Sequence, residues 1–184
     1  MKCMRRCYWV NLKNPVYIAY HDDEWGNSRL SEQELYELFI LETFQAGLSW
    51  ECVLNKRNDF RKAYEGFIPE KVAAFDENKI ESLLTNPKLI RNRLKIRSSV
   101  TNTRIYLSIV SEFKSFRNYI NSFLPESPMH EPYTLRTTSP VSDAISKDLK
   151  NRGMKFCGST ILYSYLQAAG FINAHGPECD LFMH

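Results

Sequence analysis

The sequence predicts an all-α protein that forms one domain. Helix N-cap signals recur along its 184 residues, whereas alternating strand patterns are not apparent. Gly 7 and Pro 8 are few for a turn-rich β-sandwich, and 43% hydrophobic with 24% charged residues is typical of a folded globular chain. A chain of this length fits a single domain, here residues 1–184, with a core of its own.

The helices can be placed in order from their capping residues. A capping box at 31–34 begins the first long helix, which is expected to reach about Gln45 and to end before Gly47. Caps and apolar residues at helical spacing predict further helices over about 49–64, 76–84, 91–113 and 115–123. Four prolines within 125–140 then predict a surface loop.

Two more helices, over about 142–152 and 159–169, are expected to flank a short glycine-bounded turn. Backbone amides, Lys155, Gly158 and the helix N-terminus at Ser159 would converge there, an arrangement that suits a phosphate. An ordinary helical hairpin fits the same spacing. The turn is therefore a candidate phosphate contact with a purely structural alternative.

Glu42 departs from the pattern of its helix. Leu35, Leu38 and Phe39 precede it at i, i+3 and i+4, so a carboxylate takes the i+7 position where an apolar residue is expected. Glu34 and Glu37 are expected to point away from this apolar face. Because a buried carboxylate needs a cation or several donors, Glu42 should either pair with a structural arginine or face a pocket.

Aromatic residues are dense near the N-terminus, and all three tryptophans lie within the first 50 residues. Those around the Glu42 helix are Tyr8, Trp9, Tyr17, Tyr20, Trp25 and Trp50. Such residues are most often part of the core. Aromatic faces beside a carboxylate also make a site for a flat cation, and a charged purine fits that description.

Two thiols and two imidazoles could form the ligand set that tetrahedral zinc favours. They come from opposite ends of the chain: Cys7, His21, His175 and Cys179. Cys3 and His184 are further candidates, and free cysteines with surface histidines are the alternative. Five cysteines, an odd number, argue against a disulfide framework. A closed site would be structural and would join the N-terminal segment 1–30 to the tail 171–184.

The charge balance is mild, with 24 Lys and Arg against 21 Asp and Glu. No acidic residue occurs over 82–111, which predicts a basic edge and favours a polyanionic partner. The basic residues there are Lys88, Arg91, Arg93, Lys95, Arg97 and Arg104. No apolar run is long enough to span a membrane, and the start lacks a secretory signal. We expect a cytoplasmic monomer without membrane contact.

Several stretches resemble one known family, the 3-methyladenine DNA glycosylases of type I, a branch of the helix-hairpin-helix glycosylases. The resemblance covers nearly the whole chain in the family's order and spacing. The stretches are CYW at 7–9, YIAYHDDEWG at 17–26, LE at 41–42, QAGLSW at 45–50, SDA at 142–144 and the His and Cys of 175–179. They imply the family's helical fold, with the helix-hairpin-helix at about 142–170.

The resemblance also implies roles for the aromatic residues and for Glu42. Glu42 would bind the edge of a base and is the catalytic candidate. Trp50 and Tyr20 would stack on the base, and Tyr17 and Trp9 would complete the pocket. The resemblance implies that a structural Zn2+ is held by Cys7, His21, His175 and Cys179, the same four residues that the residue types suggest as ligands.

For DNA contacts, the resemblance points to two loops. Gly47 and Leu48 would enter the gap that an extruded nucleotide leaves in the duplex. The turn with Lys155, Gly158 and Ser159 would grip phosphates. The implied partner is double-stranded DNA that contains alkylated bases.

The implied function is a monofunctional glycosylase that flips out and hydrolyses 3-methyladenine from alkylated DNA and leaves an abasic site. Residues 170–175 lack the Asp that most helix-hairpin-helix glycosylases carry there, which leaves water activation to Glu42 or to the lability of the substrate. No lysine is placed to act as a lyase nucleophile, since phosphate contact explains Lys155 better. The alternatives are a zinc-stapled DNA-binding module without catalysis and a glycosylase with another base preference.

Overall fold

The computed structural model describes residues 4–130 and 136–182, and within them the chain is mostly helical, as predicted. The α-helices are α1 Pro15–Ala19, α2 Glu32–Gln45, α3 Trp50–Leu54, α4 Arg57–Ala63, α5 Pro69–Ala73, α6 Glu77–Thr85, α7 Arg93–Phe113, α8 Phe116–Asn121, α9 Pro140–Asn151 and α10 Ser159–Ala168. A π-helical turn spans Tyr20–Glu24 and a 3-10 turn spans Glu65–Phe67. None of the helices in the described ranges is long and apolar enough to cross a membrane.

Helix α2 is the central element of the core. Its capping box is present, because Ser31 Oγ accepts from the Glu34 amide and the Glu34 carboxylate accepts from the Ser31 amide. Every residue over 35–44 is buried, and α7, α8 and α10 pack against this helix. A helix buried on all sides carries its polar residues into the interior together with its apolar ones.

Glu37 shows this consequence, and the expectation that it points away from the core is wrong. Its carboxylate is buried and accepts hydrogen bonds from the guanidinium groups of Arg57 and Arg61 of α4. Arg57 also lies 2.5 Å from the Glu24 carboxylate. The network ties α4 to α2 and to the π-helical turn.

Some predicted helix boundaries also differ from the structure. The helix predicted over 49–64 is two helices, α3 and α4, separated by Asn55 and Lys56. The side chain of Asn55 accepts a hydrogen bond from Asn14, which fixes the break to the N-terminal segment. Helix α9 begins at Pro140, before the predicted start at 142, because proline at the first helical position lacks only an amide that has no helical partner.

Residues near the two ends of the described chain lie in contact with one another. Short strands β1 Met129–His130 and β2 Ile172–Asn173 pair in parallel, which attaches the tail after α10 to the segment before α9. The Asp180 amide donates to the Arg5 carbonyl, and the Arg5 amide donates to the Asp180 carboxylate. This arrangement brings residues near the N-terminus beside the C-terminal tail.

Candidate functional site

A cavity of about 180 Å³ lies beside the C-terminal turn of α2. It is lined by Trp9, Tyr17, Tyr20, Trp25, Glu42, Gln45, Trp50, Ser164 and Gln167. All the residues predicted to form a base pocket are therefore brought together. The cavity combines aromatic walls with one carboxyl group, which is the composition expected of a site for a flat cation.

Glu42 supplies the carboxyl group that lines this cavity. It is 3% exposed, and within residues 4–130 and 136–182 its Oε2 has no hydrogen-bond partner. Burial raises the pKa of the Glu42 carboxyl to about 8. The arginine pairing considered for Glu42 occurs at Glu37 instead, and Glu42 faces the cavity. A buried carboxyl group without a partner is expensive in a folded protein, which marks it as a functional candidate.

The aromatic walls pack on one another around the carboxyl group. The ring centroids of Tyr20 and Trp50 are 5.3 Å apart, and those of Trp9 and Tyr17 are 5.6 Å apart. Burial and the nearby Glu42 raise the pKa of Tyr20 well above its usual range. Burial, Glu51 and Glu42 raise the pKa of Tyr17 to about 12. Both phenols therefore keep their protons at neutral pH and can donate hydrogen bonds.

Four residues that line the cavity were not assigned to the base pocket from the sequence: Trp25, Gln45, Ser164 and Gln167. Gln45 lies in the QAGLSW stretch and ends α2. Ser164 and Gln167 are polar residues at i and i+3 on the largely apolar α10, a signal that could have identified them. Trp25 belongs to the N-terminal aromatic cluster and also contacts His175 of the second candidate site.

The second site is a cluster of the four predicted metal ligands. The ligand atoms of Cys7, His21, His175 and Cys179 lie within 4.8 Å of one another. Cys179 Sγ is 3.6 Å from both His21 Nε2 and His175 Nδ1, and Cys7 Sγ is 3.7 Å from His175 Nδ1. The alternative ligands Cys3 and His184 lie outside the described residues.

The surroundings of the cluster orient one histidine and reach the cavity. Asp22 Oδ1 lies 2.9 Å from His21 Nδ1, and the Arg6 guanidinium holds the Asp22 carboxylate at 2.6 Å. His21 therefore presents Nε2 to the thiols. Trp9 packs edge-on against His21, and Trp25 packs edge-on against His175. Because both tryptophans line the cavity, the cluster supports its aromatic wall directly.

The wedge loop, residues 46–49, connects α2 to α3 at the edge of the cavity. Gly47 has a φ of +76°, in the left-handed region that favours glycine. Leu48 is 40% exposed although it is a large apolar residue. Gln45 and Trp50, on either side of the loop, both line the cavity, so the loop that carries this exposed side chain borders the cavity.

The hairpin turn, residues 152–158, joins α9 to α10. Lys155 is exposed, and a Cβ atom at Gly158 would meet no atom of the described chain within 4 Å apart from its chain neighbours. The hydroxyl of Ser159 is hydrogen-bonded to Asp143 and Ser142. No side chain of the described residues caps the N-terminus of α10, so its backbone amides remain the candidate phosphate donors.

Two of the six basic residues of the predicted basic edge over 82–111 pair with acidic residues of α6. Arg93 pairs with Glu81, and Arg97 pairs with Glu77. Lys95 is 7% exposed and its ammonium group donates to backbone carbonyls. The acidic partners precede position 82 in the sequence, so a count within the segment overlooked them.

Comparisons with known proteins agree on one family. A model of the methyladenine glycosylase family matches residues 9–184. DNA-3-methyladenine glycosylase 1 of Escherichia coli (strain K12) is 42% identical over 180 residues, and the alignment covers 96% of each of the two chains. A crystal structure of 3-methyladenine DNA glycosylase I superposes with a TM-score of 0.92 at 40% identity, covering 97% of this chain and 100% of the other. A variant of such an enzyme, solved in complex with 3-methyladenine, has a TM-score of 0.91 at 33% identity and covers 97% and 98%.

Proposed function

The chain belongs to the methyladenine glycosylase family, and on this basis we propose that it is a monofunctional DNA glycosylase that excises 3-methyladenine from alkylated DNA. The observation that carries the proposal is Glu42, a buried carboxyl group without a hydrogen-bond partner for Oε2 among the described residues, in a cavity with aromatic walls. The product in DNA is an abasic site.

The chemistry of the substrate explains why this site suffices. An adenine methylated at N3 is a cation, and its charge weakens the bond between the base and the sugar. Water adds to the sugar carbon, the bonding electron pair neutralises the departing base, and the water loses a proton. The enzyme therefore needs to select the cation and to hold it extruded from the duplex.

Glu42 and the aromatic rings supply that selection. The carboxylate of Glu42 pairs with the cationic base, and a charge-assisted hydrogen bond is about twice as strong as a neutral one. Trp50 and Tyr20 stack on the base, while Tyr17 and Trp9 complete the pocket. Neutral adenine would gain the stacking without the charge pairing. Glu42 is also the candidate for the group that accepts the proton of the water.

Two loops are assigned to the DNA. Leu48, which follows Gly47 in the wedge loop, would fill the gap left by the extruded nucleotide. Lys155, Gly158 and the amide end of α10 at Ser159 would bind backbone phosphates as a helix-hairpin-helix. The partner is double-stranded DNA with alkylated bases, bound by a monomer whose single domain comprises residues 1–184.

The cluster of Cys7, His21, His175 and Cys179 fits a structural Zn2+. In a tetrahedral site with Zn–S of about 2.3 Å and Zn–N of about 2.0 Å, sulfur and nitrogen lie about 3.6 Å apart. The separations of 3.6 and 3.7 Å in this cluster agree with that geometry. A bound zinc ion would hold the N-terminal segment to the tail and would steady Trp9 and Trp25.

Chromatography of the bases released from methylated DNA tests the function. A control without enzyme is needed, because 3-methyladenine also leaves spontaneously. We expect enzyme-dependent release of 3-methyladenine, and we expect Glu42→Gln to lower kcat/KM by about 100-fold, since it removes the charge that meets the cation. Release of several bases would mean a broader pocket than proposed. Folded, zinc-loaded protein that binds DNA without releasing a base would instead be a binding module.

A further inference from the structure

We propose that Lys95 and Asn102 of α7 are positioning residues that hold the wedge loop and the hairpin turn at the separation that a DNA duplex requires. The proposal rests on the proposed function, because it concerns how the two DNA-contacting loops act together. It assigns a role to α7, which contributes no residue to the lining of the cavity.

Lys95 anchors the wedge loop. Its Nζ donates to the carbonyl oxygens of Phe44 at 2.7 Å and Ala46 at 2.6 Å. These carbonyls end α2, where the last turn of a helix leaves acceptors without helical partners and favours a positive charge. Leu48 comes two residues after Ala46, so Lys95 holds the backbone next to the exposed Leu48 side chain in place.

Asn102 anchors the hairpin turn. It is fully buried, its side-chain Nδ2 donates to the Lys155 carbonyl at 2.8 Å, and its Oδ1 accepts from the Lys155 amide at 2.9 Å. One side chain thus satisfies both backbone groups of Lys155. The next residue, Phe156, has a φ of +57°, a conformation that non-glycine residues adopt only when their surroundings impose it.

The two anchors belong to one rigid element. Seven residues separate them, which is close to two helical turns, so they lie on the same face of α7 at a distance of about 10 Å along its axis. The Phe156 ring also lies 5.8 Å from Lys95 Nζ, so the two anchor sites adjoin. A wedge and a phosphate grip must fit one duplex simultaneously, and a misplacement of about 1 Å can lower a rate by about 100-fold.

The test compares Lys95→Met and Asn102→Ala with a matched control, Thr103→Val. Thr103 follows Asn102, is also buried, and hydrogen-bonds Tyr36 in the core, away from both loops. We expect each anchor variant to lower kcat/KM on duplex methylated DNA about tenfold. Affinity for free 3-methyladenine, read from tryptophan fluorescence, should stay at the wild-type value, because the cavity is untouched. The control should change neither quantity.

Two further readouts separate positioning from direct contact and from general destabilisation. The salt dependence of binding to an abasic-site duplex should keep its wild-type slope in Lys95→Met, whereas loss of a direct phosphate contact would reduce that slope by about one. The fold-decrease in kcat/KM of the double variant should be smaller than the product of the two single decreases, because both residues fix the same distance between the wedge loop and the hairpin turn.

The proposal fails if the anchor variants retain wild-type kcat/KM on duplex DNA. It also fails if their affinity for the free base falls in proportion to their loss on the duplex, which would indicate damage to the whole fold. If the wild-type protein releases no base, the proposed function fails, while the abasic-duplex measurement still tests the positioning role. In that measurement, wild-type affinity in both anchor variants would overturn the inference.

Discussion

Glu37 and Glu42 are two carboxylates of the same buried helix, only 6% and 3% exposed, in opposite surroundings. Glu37 is held by Arg57 and Arg61, so its charge is compensated within the protein. Glu42 faces a cavity, and its Oε2 has no hydrogen-bond partner among the residues that the structure describes.

The difference shows that burial alone does not identify a functional carboxylate. What distinguishes the two is the source of the compensating charge. Two arginines of α4 provide it at Glu37, which makes that residue part of the scaffold. At Glu42 the proposed ligand would supply the cation, and Glu42 would then select a charged base. Variants of the two residues should therefore separate stability from activity.

The largest effect on stability is expected for Glu37→Gln. The substitution leaves the buried Arg57 with Glu24 alone, and breaking such a pair should lower the free energy of unfolding by about 3 kcal/mol. Base excision by the folded fraction should remain near the wild-type rate. Urea denaturation and base release measure the two quantities.

Glu34→Gln is the matched control for that variant, because Glu34 lies on the same helix but is exposed in the capping box. Glutamine can still accept the hydrogen bond from the Ser31 amide in a capping box, so only the charge at the helix N-terminus is lost, which should cost less than about 1 kcal/mol. A smaller loss for Glu37→Gln than for Glu34→Gln would contradict the scaffold role of Glu37.

The second effect has the opposite sign. Glu42→Gln should stabilise the protein by about 2 kcal/mol at pH 7, because burial raises the pKa of Glu42 to about 8 from an ordinary value of 4.5. Between these two values the unfolded chain releases a proton that the folded chain keeps, so the wild type loses stability as pH rises. Urea denaturation at pH 5, 7 and 8.5 should show this slope in the wild type and its loss in Glu42→Gln. An identical slope in both proteins would contradict the assignment.

The sequence predicted Glu42 because a single acidic residue interrupted a helical apolar face. It did not predict the pairing of Glu37, since Arg57 and Arg61 reach that carboxylate only after α4 folds back onto α2. The same limit applies to the basic segment, whose acidic partners Glu77 and Glu81 lie on another helix. Local patterns thus predict elements and residue types, while ion pairing between elements requires the packed structure.

The cluster of Cys7, His21, His175 and Cys179 shows the same limit of prediction from the sequence. Residue types and resemblance pointed to the ligand set, but spacing could not exclude Cys3 or His184 when the ligands come from opposite ends of the chain. The role of Asp22 was not predicted, although it follows His21 directly. Its interaction depends on the imidazole orientation and on Arg6, which only the folded chain brings together.

Asp22 is a third carboxylate with a distinct role, because it orients the imidazole of His21, a candidate metal ligand. Hydrogen bonding to Arg6, followed by that to His21, lowers the pKa of Asp22, so the group stays ionised at neutral pH. Asp22→Asn should weaken zinc binding about tenfold in competition with a chromophoric chelator, because the histidine loses its carboxylate partner. Asp23→Asn, at the exposed neighbouring position, should bind zinc as the wild type does. Equal affinities in the two variants would refute the orienting role.

The smallest expected effect is the pH dependence of kcat/KM. The free enzyme must ionise Glu42 before the carboxylate can pair with a cationic base, so kcat/KM should rise with pH and reach half of its plateau near pH 8. The rise between pH 7 and pH 8 should be about fivefold, since the ionised fraction changes by that factor around such a pKa. Glu37→Gln should keep this profile because its partners lie outside the cavity, whereas the activity that remains in Glu42→Gln should be independent of pH. Spontaneous release is subtracted at each pH. A flat wild-type profile, or the same rise in Glu42→Gln, would mean that another group binds the charge of the base.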